Sequence, residues 1–256
     1  LAIAVGAAKA NESKKKVSHG VLYFTPEMTI EQLALRAACA NASTRQERVP
    51  YEAIMSGQYD EATYRRFTMA NPRGNIRALS IYYDGDTNLM ASEMQSRVKQ
   101  AALDFQEAGF TLDLVIVDHM GKIRPTNRYK GNKVQEVGEV SEAMAAIAKE
   151  ENVAVLALHQ LSRGVEGREN KRPQLSDLRN SGDVEQDADI VMFAYRAAYY
   201  LSMKPEDEAA PAEQLRKDAL AEAEFDLEVL IAKNRRGATG MRKLYCDVAC
   251  NLVQDV

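Results

Sequence analysis

Along the chain, short apolar runs rich in β-branched and aromatic residues alternate with longer stretches in which apolar residues recur every three or four positions. The runs lie at 21–24, 79–83, 114–117, 153–158, 190–195, 225–232 and 243–248, and runs of this length and composition predict strands. Between them, Met94, Val98, Ala101 and Phe105 fall on one face of a helix in segment 89–108. Val134, Val137, Val140, Met144 and Ile147 do the same in segment 133–151. Fully apolar strands in strand–helix–strand order predict a parallel sheet covered on both faces, since crossover helices pack on either side. The expectation is one three-layer α/β domain over residues 1–256 with a mostly parallel central sheet. Its last two strands would pair antiparallel through the turn RRGATG. Two segments read as peripheral: 9–19, polar and basic, as a solvated loop, and 204–224, acidic and alanine-rich with two prolines, as a loop and an exposed surface helix. No internal repeat or domain boundary is evident.

Composition narrows the class. A chain of 256 residues that is 46% hydrophobic and 27% charged has an ordinary globular balance. No run approaches the roughly 20 apolar residues of a membrane helix. The opening LAIAVGAAKA is short and lacks a basic leader, so it does not read as a signal peptide, and a cytoplasmic location with no membrane contact is expected. The three cysteines, Cys39, Cys246 and Cys250, form no zinc knuckle, and their odd number argues against a disulfide framework; they are expected to be reduced and structural. A net charge of −4 gives no global attraction to nucleic acid, so such binding requires a local basic surface. Between residues 160 and 182, Arg163, Arg168, Lys171, Arg172 and Arg179 stand against Glu166, Glu169 and Asp177.

Candidate chemistry gathers at strand ends, where ligands bind in open α/β sheets. Glu27 follows VLYFTP, Asp118 follows LVIV and Gln160 follows VAVLALH. A carboxylate at the mouth of a hydrophobic strand needs a cation, donors or water to offset its desolvation. A carboxylate for a metal, a second one as base and an amide sensing phosphate would together suit nucleotide hydrolysis. Each residue also has a plainer reading. Glu27 would favour the N-terminus of a helix starting near Thr29, and Arg235 and Arg236 beside Gly237 would sit in a solvated hairpin turn. His119 and His159 read as structural, with too few further ligands for zinc.

The stretches FTPEM (24–28), VDHMGKI (117–123), ALHQLSRGVEGRENKRPQLSDLRNSGDVEQDADIVMFAYR (157–196) and AKNRRGATG (232–240) resemble, in order and over nearly the whole chain, the RecA-like motor domain of DnaB-type replicative DNA helicases. The resemblance implies an ATP- and Mg2+-dependent helicase motor of the P-loop NTPase fold. In it Glu27 is the base for the attacking water, Asp118 the Walker B aspartate holding Mg2+, and Gln160 the link from the γ-phosphate to the DNA-facing loops. Lys233 and Arg235 become the lysine and arginine finger reaching a neighbouring subunit, with Arg236 one position off. Arg179, Asn180 and Gly182 match the loop that contacts single-strand phosphates. The implied partners are single-stranded DNA, identical subunits in a hexamer, primase and a helicase loader. Other RecA-like readings are a recombinase or clock-type ATPase, and a degenerate module that binds DNA or a helicase ring without turnover. The departure from the pattern is that G-x-x-x-x-G-K-[ST] occurs nowhere in these 256 residues, while 1–10 resembles the helix that follows that loop. Lacking the first strand and P-loop, this chain alone is expected to hydrolyse ATP poorly, and its sheet to carry an exposed edge or gap.

Overall fold

The computed structural model describes residues 3, 19–71, 81–178, 182–203 and 211–256. Its first half is an α/β unit built on four parallel strands: β1 (His19–Phe24), β2 (Ile81–Asp84), β3 (Thr111–Val117) and β4 (Ala154–Ala157), in the order β2-β1-β3-β4. The registers Leu22↔Tyr82, Leu22↔Val115 and Val115↔Val155 align the carboxyl ends of these strands.

Both faces are covered, as the continuous apolar runs require. Leu22 and Phe24 point to one side, where helices α4 (Ala91–Glu107) and α5 (Lys133–Glu150) contribute Met94, Val98, Val140 and Met144. Val21 and Tyr23 point to the other, against Leu33 and Ala37 of helix α1 (Ile30–Ala42). The strand alternation thus feeds two cores at once. Gly20 explains how closely α4 lies on the sheet: a Cβ there would stand 2.7 Å from the Phe105 ring. Helix α1 starts at a capping box, with Thr29 accepting from the Gln32 amide and Gln32 reaching back. Two helices that the hydrophobic pattern did not mark, α2 (Tyr51–Ser56) and α3 (Glu61–Ala70), complete this side.

The second half departs from the expected single sheet. After the short helix α6 (Gly182–Asp187), strands β5 (Ile190–Tyr195), β6 (Asp226–Asn234), β7 (Gly240–Asp247) and β8 (Leu252–Asp255) form a separate, wholly antiparallel sheet in sequence order. The expected β6–β7 hairpin is present, extended by β5 and β8. The physical reason β5 misleads is visible in its burial: Val191 and Phe193 are buried while Ile190 and Met192 are exposed. An alternating, half-buried strand is masked because all six of its residues, IVMFAY, are apolar or aromatic. β2 and β4 are the outer strands of the parallel sheet, and β5 and β8 those of the antiparallel one. Between β5 and β6 lie α7 (Ala197–Ser202) and α8 (Pro211–Ala223). The latter is the anticipated surface helix, although Glu213 is buried in an ion pair with Arg216.

The helix expected within 1–10 and the loop expected over 9–19 lie outside the described residues, apart from residue 3 and from His19, which opens β1 instead; 204–210 lies outside them too. The three cysteines are free and buried, as expected. Among the described residues no helix is long and apolar enough to cross a membrane.

Candidate functional site

The parallel pairing brings Glu27, Asp118 and Gln160 to one end of the first sheet. Asp118 follows β3, and its amide donates to the Phe24 carbonyl at 3.0 Å, so it sits beside the segment that leads from β1 to Glu27. Across the β3–β4 pair, the Leu158 amide donates to the Val117 carbonyl at 3.0 Å and the Met120 amide to the Leu158 carbonyl at 2.9 Å. These bonds carry residues 119 and 160 to the same rim.

Asp118 is oriented from within the sheet. The Tyr23 hydroxyl donates to Asp118 Oδ2 at 2.7 Å. Burial, and next the bond to Asp118, push the Tyr23 hydroxyl far above its ordinary range, so it remains a donor. Tyr23 is therefore a further residue of the site. The apolar run around it hid its role, because β1–β3 register cannot be read from one sequence.

Glu27 does not serve the helix end. Thr29 caps α1, while Glu27, its side chain half exposed, sets Oε2 3.4 Å from His119 Nε2 and Oε1 3.9 Å from Lys122 Nζ. Gln160 Nε2 lies 3.3 Å from the same His119 nitrogen. His119, expected to be structural, thus stands between two of the site residues; its place directly after Asp118 was the available signal. His159 is turned aside, with Nδ1 2.7 Å from the Gln160 carbonyl. Burial foremost, and His119 next to it, hold the His159 ring below the usual imidazole range.

Lys233 and Arg235 occupy the other sheet. Lys233, near the end of β6, donates to the Glu185 carbonyl and, at 3.4 Å, to that of Gln186. Arg235 bonds the Gln186 carbonyl and reaches Asp189 Oδ1 at 3.2 Å. Both cations therefore cap the last turn of α6, where unpaired carbonyls collect negative charge. Arg236 is exposed in the hairpin turn. Of the expected DNA-facing residues, Gly182 opens α6, whereas Arg179 and Asn180 lie outside the described residues. The basic excess read between 160 and 182 is partly consumed internally: Arg168 pairs with Asp177 at 2.6 Å, Arg172 with Glu228 at 2.7 Å, and Lys171 donates to the Glu166 carbonyl at 2.6 Å.

No group of three or more His, Cys, Asp or Glu side chains among the described residues is arranged to hold a metal. Asp118 with one oxygen on Tyr23 fits a different mode, that of Mg2+, which takes one or two carboxylates and completes its shell with substrate phosphates and water.

Polar groups at the strand ends of a doubly covered parallel sheet are the general arrangement of α/β ligand sites, and the solved structures that the chain superposes on narrow the fold to that of RecA-like ATPase domains. All of it superposes on 80% of a solved structure described as an ATPase domain, at a TM-score of 0.77 and 25% identity. It also superposes, over 54% of that partner, on a DnaB-like replicative helicase solved with its primase interactions, at a TM-score of 0.78 and 25% identity. The family is closer than fold alone requires. The chain belongs to the DnaB-like helicase C terminal domain family, whose model matches residues 1–254. It is 36% identical over 225 residues to the replicative DNA helicase DnaC of Bacillus subtilis, covering 88% of this chain and 43% of that protein. With the replicative DNA helicase DnaB of Rickettsia bellii it shares 36% identity over 241 residues, 93% of this chain and 46% of the relative. The chain spans about half the length of the curated relatives it matches.

Proposed function

We propose that this chain is the ATP-driven motor part of a ring-forming replicative DNA helicase. The observation that carries the reading is the convergence of Glu27, Asp118 and Gln160 at the carboxyl ends of adjacent parallel strands. In this reading Glu27 takes the proton of the attacking water, a role suited to a half-exposed carboxylate near a phosphate site. Asp118, oriented by Tyr23, would hold Mg2+, which when bound neutralises phosphate charge. Gln160 senses the terminal phosphate and passes its state towards the DNA-facing residues.

Lys233 and Arg235 act across a subunit boundary in a hexamer of identical chains. In this reading Arg235, which bonds the Gln186 carbonyl and Asp189, exchanges them for phosphate oxygens. Arg179, Asn180 and Gly182 would contact the backbone of single-stranded DNA, giving sequence-tolerant, salt-sensitive binding. Primase and a helicase loader are the further partners, the first because a structural relative was solved with primase interactions. The cytoplasm is the matching location.

The test is ATP turnover by the full-length protein with and without single-stranded DNA. Glu27→Gln is expected to lower turnover by at least about 100-fold while nucleotide still binds. Arg235→Ala is expected to abolish turnover and leave nucleotide affinity within about threefold, as for an interaction made only in the transition state. Undiminished turnover in Glu27→Gln would refute the reading; loss of binding in Arg235→Ala would remove the finger.

A further inference from the structure

His119 makes three contacts with two ring nitrogens, and the count of protons decides what they mean. Nδ1 accepts the Gly121 backbone amide at 3.2 Å, which requires a lone pair there and places the single proton of the neutral ring on Nε2. That one N–H faces two groups: Glu27 Oε2 at 3.4 Å and the Gln160 amide at 3.3 Å. With the amide nitrogen turned to the ring, two donors oppose each other. A half-turn of the amide presents its oxygen instead and makes a bond. Glu27 and Gln160 therefore compete for one donor, and the ring cannot serve both fully.

We infer that His119 is a positioning residue that couples Gln160 to Glu27 through this single shared proton. When Gln160 leaves the ring for its own ligand, Nε2–H turns wholly to Glu27 and fixes the carboxylate. When Gln160 returns, Glu27 loses that hold, and among the described residues the cation left beside it is Lys122 at 3.9 Å. The ring itself is kept in place by the close approach of Gly121, where a Cβ would lie 2.9 Å from Cε1 and 3.0 Å from Nδ1. No bond to hydrogen is broken in this exchange; one hydrogen bond replaces another. The inference rests on the proposed roles of Glu27 and Gln160.

The experiment uses the full-length protein and two readouts. The first is turnover with and without single-stranded DNA. The second is the affinity of a fluorescent oligonucleotide with and without a non-hydrolysable ATP analogue, which reports coupling without catalysis. In His119→Ala, kcat is expected to fall about tenfold or more with KM within about twofold, the pattern of lost positioning. The nucleotide's effect on DNA affinity is expected to shrink from about fivefold or more in the natural protein to below about twofold. His119→Gln, which offers an amide donor at similar reach, should restore most of both. Gly121→Ala, which displaces the ring without removing it, should resemble His119→Ala and guards against a folding artefact. If Glu27→Gln is inactive while His119→Ala keeps natural coupling and kcat, the His119 role is overturned and the function stands. If Glu27→Gln retains turnover, the functional reading fails and this inference with it.

Discussion

Two residues outside the motif pattern carry measurable weight. Tyr23 is wholly buried, and its hydroxyl bonds Asp118. Tyr23→Phe removes a donor to a carboxylate without changing the packing, so the protein should lose about 1–2 kcal/mol in urea unfolding; an unchanged midpoint would mean that water replaces the hydroxyl at no cost. Asp247 is also buried, with Arg48 bidentate at 2.5 and 3.1 Å. Burial, the largest single influence, would raise its carboxyl, but the Arg48 bonds and charge together with the hydrogen bonds from Cys250 hold it below the ordinary range. A carboxyl lowered by folding stabilises the protein above its unfolded value of about 3.9 and loses that contribution as pH falls towards the lowered value. Between about pH 5 and about pH 3, the natural protein should therefore lose more stability than Asp247→Asn. Equal losses would assign acid sensitivity to other groups. The sequence named Glu27, Asp118 and Gln160, because charge or amide directly after an apolar strand is conspicuous. It hid Tyr23 and the contacts His119 makes with Glu27 and Gln160, since these depend on which strand stands beside which.

At the scale of elements, capping proved more informative than composition. Thr29 and Gln32 close the start of α1 reciprocally, which frees Glu27, two residues earlier, to face His119. Thr29→Ala should cost about 1 kcal/mol in thermal or urea unfolding, and it should leave turnover of the full-length protein almost unchanged, since Glu27 is held from β3's side. A large loss of turnover would show that the cap aims the carboxylate. The strands of the parallel sheet and helices α4 and α5 were legible within a few residues, because buried parallel strands and amphipathic helices write distinct periods. β5 was legible as a strand but not as a member of another sheet, its alternation being hidden by an unbroken apolar run. β8 escaped because LVQD offers too few apolar positions to form a pattern. The α6 contacts of Lys233 and Arg235 could not be anticipated, as they depend on a helix of only six residues ending beside β6.

At the scale of the molecule, two four-stranded sheets share no ladder among the described residues. Among the described residues they are joined by side-chain and loop contacts that include Arg36 to Asn251 at 3.2 Å, Arg48 to Asp247, Arg45 over the Tyr245 ring, the Tyr51 amide on the Ala249 carbonyl at 2.8 Å, Ser141 donating to Asp187, and Val184 of α6 packed against the core of the parallel sheet. For the motor proposed above, this construction sets where the chain yields under load. Backbone ladders pulled lengthwise resist together, whereas isolated contacts slip one after another and re-form. Stretched in an optical trap, the chain should give way in two separable rips, one for each sheet, and Arg48→Ala should lower the force at which the joint parts; a single rip would mean that the two sheets bear tension as one body. In the proposed motor, force arriving at the hairpin of Arg235 would then reach the rim of Glu27 through compliant fastenings, and part of each stroke would be taken up as recoil.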